Sequence, residues 1–239
     1  MRPIQKWAVG HINPKTNEVI AEHYRPYGLA KENLEDNLGA HCAYCEAWTT
    51  NPEIEHIIPK HQVPLKETLW ENLLLACDRC NGKDNKSNKS VEETFTSIYF
   101  PHKHNTFKAF NYGEGGLVSI NSFLINSQRL KAEALMNLVG LDKYPKNPKY
   151  ADLKNDKRWM HRDHAWENAQ RNLRKYEAGE RAADSIAHLA AQRGFFSVWF
   201  TVFKAHQDVK AALIRHFRGT ATNCFDTDFN PINRNGADI

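Results

Sequence analysis

Four of the five cysteines fall in two CxxC pairs, Cys42/Cys45 and Cys77/Cys80, and Cys224 stands alone. Two such pairs supply four thiolates, the donor set of a tetrahedral structural zinc with Zn–S bonds of about 2.3 Å. The competing chemistry, a thiol redox centre, needs only one CxxC, and structural disulfides are rare in a reducing cytoplasm. Zn²⁺ is therefore the expected ion, with residues 46–76 inserted in its loop. That insert holds Glu55-His56, an acid beside an imidazole, and Asn72, while Asn81 follows Cys80 directly. A lone histidine between a glutamate and an isoleucine reads as a half-buried structural residue. Inside a zinc loop and with Asn81 in reach, a second reading is stronger. Histidine, with a reference pKa near 6.5, takes a proton at neutral pH. One carboxylate and one amide oxygen suffice for a hard ion such as Mg²⁺, which keeps several waters. Activated water and a charge clamp are what phosphodiester hydrolysis requires.

The elements that must position these residues are partly legible. Residues 27–39 carry Leu29, Leu34 and Leu38 near helical spacing and end in Gly39, which predicts a helix leading into Cys42. Residues 53–58 read as a short strand stopped by Pro59, and residues 69–76 are apolar enough to pair back across it. A helix is expected from Asp78, with Cys80 and Asn81 in its first turn. Residues 107–112 and 117–121 flank Gly113-Glu114-Gly115-Gly116, a hairpin signal. From residue 127 the pattern is helical: Leu130, Ala134 and Leu138 form one stripe, and Trp159, Trp166, Leu173 and Tyr176 another. Residues 186–217 are more apolar and are expected to form a helical core. The tail around Pro231 reads as irregular.

Taken in order, Ile54-Glu55-His56-Ile57-Ile58-Pro59-Lys60, then Trp70-Glu71-Asn72-Leu73-Leu74-Leu75-Ala76-Cys77, then Cys80-Asn81, resemble the HNH nuclease motif. The resemblance covers about residues 40–85. It implies a ββα-metal fold in which Glu55 and Asn81 hold a catalytic Mg²⁺ or Mn²⁺, His56 activates water and Asn72 braces the loop. Glu55 stands where the family more commonly has Asp, and the phosphate-contacting lysine after Asn81 is either Lys83 or Lys86. The same segments resemble the HNH proteins of Septu-type antiphage systems, which implies a PtuA-like ATPase partner and a role in antiviral defence. The family's habit favours DNA as substrate, with structured RNA such as tRNA as the alternative.

The fold class expected from all of this is α+β, a zinc-stapled HNH module embedded in a mostly helical protein. The organisation reads as an N-terminal region over 1–95 with the module at 40–90, a hairpin connection over 96–126, and a helical region with an irregular tail over 127–239. The net charge of +4 is too small to imply nucleic-acid binding alone, but its distribution is uneven. Residues 143–175 carry ten basic residues against four acidic ones, and residues 79–89 carry four against one. Lys60, Arg79, Lys83, Lys86, Arg158 and Arg162 are the candidate phosphate contacts, against the blander reading of a solvated helix face. His61, His102 and His104 lack the motif's spacing and read as structural or solvent-facing. The longest nearly apolar stretch, 195–203, is far below the ~20 residues of a membrane span. With no secretory pattern at residues 1–6, the cytoplasm is the expected address. The rival to a nuclease is a non-catalytic four-cysteine zinc module that binds nucleic acid or protein.

Overall fold

Residues 27–39 form two pieces, a 3-10 turn over Tyr27–Ala30 and then helix α1, Lys31–Leu38, so Leu29 stays exposed while Leu34 and Leu38 are buried. The computed structural model describes residues 1–82, 85, 86, 89–145, 147–150 and 156–239. After α1 the chain enters the first cysteine pair as a tight reversal, with His41 bridged to Trp48 and the Cys42 N–H donating to the Ala47 carbonyl at 2.9 Å. Strand β1, Glu53–His56, then pairs antiparallel with β2, Leu73–Ala76, opposing Glu55 to Leu74 and His56 to Leu73. All four β2 residues are apolar and buried, so the strand is a floor, and β1 carries the chemistry above it. Helix α2, Asp78–Asn81, starts at once after Cys77. The fold is thus α+β: among the described residues there are seven helices and two two-stranded sheets.

The second sheet is the hairpin β3, Phe110–Tyr112, with β4, Val118–Ile120, followed by α3, Asn126–Val139. Its turn packs on α4, Arg158–Glu177, so closely that a Cβ on Gly116 would lie 1.9 Å from the Trp159 carbonyl oxygen. Only glycine fits there, at φ 66°. Helices α5, Ala183–Arg193, α6, Phe196–Val202, and α7, Gln207–His216, bury Ile186, Phe196, Trp199, Phe203, Leu213 and Phe217 against one another. A separate cluster gathers Leu34, Tyr44, Leu73 to Leu75, Tyr99, Phe100 and Leu135 around β1, β2 and α3, and Trp166 packs against both clusters. No helix among the described residues is long and apolar enough to cross a membrane.

Two helices bury more than their apolar stripes suggest. In α3, Leu138 is buried and Ala134 packs against the core, but Leu130 is exposed and Ala132, Leu135, Met136 and Val139 complete the inward face. In α4 the buried stripe is Arg158, Arg162, Ala165, Ala169 and Asn172, at the spacing of one helical face, while Trp159 is only half-buried. This overturns the expectation that Arg158 and Arg162 guide phosphate. Arg162 donates from Nε to the Gly116 carbonyl at 2.9 Å and from Nη2 to the Leu141 carbonyl at 3.1 Å. Arg158 is held by Asp156 and by the carbonyls of Val139 and Gly140. Both guanidinium groups are internal struts that satisfy the end of α3 and the hairpin turn.

Glu46 joins the cysteine reversal to the helical cluster. Buried, it accepts hydrogen bonds from the Ser197 N–H at 2.8 Å, the Ser197 hydroxyl at 2.6 Å and the Arg2 N–H, while its own carbonyl accepts from the Phe195 N–H at 2.9 Å. Gly194, at φ 82°, lets the two segments meet, since a Cβ there would lie 2.5 Å from the Glu46 carbonyl oxygen. Glu46→Ala leaves three buried donors without an acceptor. It is expected to lower unfolding stability by about 3 kcal/mol in a denaturant titration, against about 1 kcal/mol for Ser197→Ala.

Candidate active site

The reversal at residues 42–45 is pinned to the floor strand by the Ala43 N–H, which donates to the Leu75 carbonyl at 2.8 Å. The second pair sits where β2 ends and α2 begins. These two local structures bring the sulfur atoms of Cys42, Cys45, Cys77 and Cys80 within 4.8 Å of one another, all buried, with Cys45 and Cys77 3.6 Å apart and no disulfide. A tetrahedron of Zn–S bonds near 2.3 Å has edges of about 3.8 Å, so the four sulfurs fit zinc. Arg158 donates from Nη1 to Cys80 Sγ at 3.1 Å. Four thiolates around a divalent ion carry net negative charge, and a buried guanidinium bonded to one of them offsets it.

From this cluster the chain leads both into and out of the β1–β2 site. The Asn81 N–H donates to the Cys77 carbonyl at 3.0 Å, so the helical turn that presents Asn81 is the turn that carries Cys80. Asn72, buried just before β2, accepts at Oδ1 from the Ile58 N–H at 2.7 Å. Its Nδ2 donates to the carbonyls of Ile58 at 2.9 Å and Lys66 at 3.0 Å. One amide thereby clamps both ends of the 58–66 excursion.

His56 is half-buried at the end of β1, with its ring edge-on to Tyr27 at 4.8 Å. Its Nε2 lies 2.9 Å from the Glu67 carbonyl oxygen. A carbonyl can only accept, so Nε2 carries the proton and Nδ1 keeps the lone pair. Burial pushes the imidazole below its ordinary pKa, against the opposing pull of the Glu67 carbonyl. The neutral tautomer with a basic Nδ1 is the form this site favours at neutral pH.

The acidic residues divide the work differently from the expectation. Glu55 is buried, and its Oε1 pairs with Lys86 Nζ at 2.5 Å and accepts from the Tyr44 hydroxyl at 3.1 Å. Burial raises the Glu55 carboxyl, partly countered by Lys86, and burial lowers the Lys86 ammonium. Lys86 also donates to the His56 carbonyl at 2.6 Å. It is therefore not a surface phosphate contact, which corrects that expectation. Asn81, expected beside Glu55, instead donates from Nδ2 to Glu53 Oε2 at 3.0 Å. Glu53 and Glu55 alternate with Ile54 along β1 and so share its face. Glu53 is the acidic residue the motif reading passed over, although strand alternation singles it out. Tyr27, Tyr44 and Glu67 were also passed over, and nothing in their local sequence signals them.

Carboxylate and amide oxygens are the donor class that a hard cation takes. Glu55 already holds one cation, the ammonium of Lys86, and the Glu53–Asn81 pair leaves Asn81 Oδ1 available. Of the other basic candidates, Lys60 is exposed, with Nζ 4.8 Å from the Tyr27 ring centroid and 3.2 Å from Glu67 Oε1, at the rim next to His56. Arg79 is exposed on α2, 3.8 Å from Asp78. Lys83 lies outside the described residues.

Residues 42–87 match the family model for HNH endonucleases. The chain is also similar to the Septu protein PtuB of Bacillus thuringiensis, 36% identical over 76 residues, which are 30% of this chain and 29% of that protein. The chain thus spans less than a third of the length of the curated relative it matches.

Purified protein is expected to carry one zinc per chain by elemental analysis. Cys77→Ser is expected to lose that zinc and melt at lower temperature, because metal binding and folding are coupled in such sites. A fully folded, metal-free protein or an iron–sulfur absorption spectrum would contradict this.

Proposed function

We propose, from the match of residues 42–87 to the HNH endonuclease family model, that this chain hydrolyses phosphodiester bonds of nucleic acid, DNA in the first instance, with a divalent metal. Similarity to a Septu protein supports a role in antiphage defence beside an ATPase partner. The observation that carries the reading is the 2.9 Å contact of His56 Nε2 with the Glu67 carbonyl, which assigns the proton to Nε2 and leaves Nδ1 without a partner among the described residues, on the strand that also bears Glu53 and Glu55. A non-catalytic zinc module has no use for that arrangement.

In this reading the water oxygen attacks the scissile phosphorus, its proton passes to His56 Nδ1, and the bond from phosphorus to the departing sugar oxygen breaks. Glu53, Glu55 and Asn81 would hold the divalent ion, which when bound neutralises charge developing on the phosphate and the departing oxygen. Asn72 holds the backbone that follows His56, at Ile58 and at Lys66 beside the Glu67 carbonyl, so the imidazole and its hydrogen-bond partner are kept together. The four cysteines act as a scaffold, with no part in the proton transfer.

His56→Ala is expected to lower plasmid cleavage in Mg²⁺ or Mn²⁺ by about 10² to 10⁴ with zinc content and melting unchanged. Asn81→Ala is expected to recover part of its activity at raised Mn²⁺, and His56→Ala is not. The pH profile carries a sign. The active base is neutral and its pKa is lowered by burial, so activity falls with acid only as pH passes below about 6.5. Near wild-type cutting by His56→Ala, with partner and metal present, would overturn the reading.

A further inference from the structure

A cleft of about 930 Å³ lies between the cysteine reversal, the first turn of α2, the N-terminal half of α4 and the end of α5. None of Glu53, Glu55, His56 and Asn81 lines it, so it is separate from the site above. Three elements deliver basic groups to it: Arg79 from α2, Lys157 from the start of α4, and Arg193 from the end of α5. All three are exposed, and Asp78 is the acidic residue that lines the cleft. Lys157, His161 and His164 follow one exposed face of α4, turned one residue from the buried stripe that begins at Arg158. The basic surplus around residue 158 thus does meet solvent, through these neighbours. The cleft also receives the amino end of a 20-residue helix, where backbone N–H groups favour phosphate oxygens.

The remaining walls suit a base. Trp48, 46% exposed, lines it, as do Asn168 and Gln192, whose amide nitrogens contact the His164 carbonyl and the His188 ring and whose amide oxygens face no donor among the described residues. An indole face beside a basic track is the arrangement on which unpaired bases stack while phosphates are tracked by charge. A duplex hides its bases from such a wall. Arg79 and Asn81 are two residues apart on the single turn of α2 and so point to opposite sides of it, which places the cleft and the HNH face back to back across one helical turn. The spread of the basic groups over three elements favours a polymer over a free nucleotide.

We propose that this cleft holds a single-stranded segment of the nucleic-acid substrate, with phosphates on Lys157, Arg193 and Arg79 and an unstacked base on Trp48. The proposal rests on the nuclease reading for its substrate class, and its test does not use cleavage. Binding of a fluorescein-labelled oligothymidylate about 12 nucleotides long is measured by anisotropy on the full chain carrying His56→Ala, without added divalent ion, across a salt series. Adding Lys157→Gln and Arg193→Gln is expected to weaken binding about tenfold and to flatten the slope of log K against log salt by about 1.4, two single-strand phosphate contacts. Trp48→Ala is expected to weaken binding about fivefold with the slope unchanged. Melting temperatures confirm that the variants, all at exposed positions, remain folded.

Unchanged affinity and slope in the folded double variant would overturn the proposal. So would a duplex of the same length that binds as tightly as the single strand with the same dependence on Lys157 and Arg193, or AMP that displaces the oligonucleotide at equal concentration. Wild-type cleavage together with unchanged oligonucleotide binding in the double variant removes the cleft and leaves the nuclease. Loss of binding in the double variant together with an inactive wild-type protein removes the nuclease and leaves a single-strand binding cleft.

Discussion

The gathering of four sulfur atoms at Cys42, Cys45, Cys77 and Cys80 is the constraint on which the rest depends. Strands of four residues and a helix of a single turn have no independent stability in water. Tying the reversal before β1 to the turn after β2 fixes where both strands begin and end. It also aims α2, because Cys77 and Cys80 start the turn that presents Asn81. Arg158 then fastens this unit to the helical part by bonding Cys80 and the end of α3 at once. Zinc held by the sulfurs and the guanidinium beside them would therefore act together, the ion setting local geometry and the arginine setting where that geometry sits.

Buried charge is the second theme. Glu46, Glu55, Lys86, Arg158 and Arg162 are all internal. Such groups cost desolvation free energy, and a buried pair is rarely a net gain over an apolar replacement. What they add here is orientation. Glu46 locks the amino end of α6 to the cysteine reversal, and Lys86 ties residue 86 to both Glu55 and the His56 backbone. The tautomer of His56 is thus set by one hydrogen bond to a group outside the motif, the Glu67 carbonyl, next to the loop that Asn72 holds.

Much of this was legible in the sequence, for identifiable reasons. CxxC spacing, a period-two run at residues 53–56 and the apolar run at 73–76 are local signals, and the structure has the elements they imply. Asn72 stood out only through the motif it resembles, and its burial and its partners at Ile58 and Lys66 come from the fold. The burial of Arg158 and Arg162 was not, since a hydrophobic count assigns α4 its face from Trp159 and Trp166, whereas the partners that make arginine burial affordable are carbonyls of residues 116, 139, 140 and 141. The shift of Asn81 from Glu55 to Glu53 likewise depends on Lys86 arriving from beyond α2 to claim Glu55. The cleft lined by Arg79, Lys157 and Arg193 joins positions far apart in the chain, which no window of sequence can reveal.

The central claim is that one ion is structural and another is catalytic, in two sites that share α2. Anomalous diffraction from crystals grown with Mn²⁺, collected at the zinc and manganese edges, tests it most directly. The account predicts a zinc peak among the four sulfur atoms and a separate manganese peak against the carboxylates of β1 and the Asn81 side-chain oxygen. A disulfide in place of the zinc peak, or manganese bound elsewhere with Glu53, Glu55 and Asn81 bare, would contradict it.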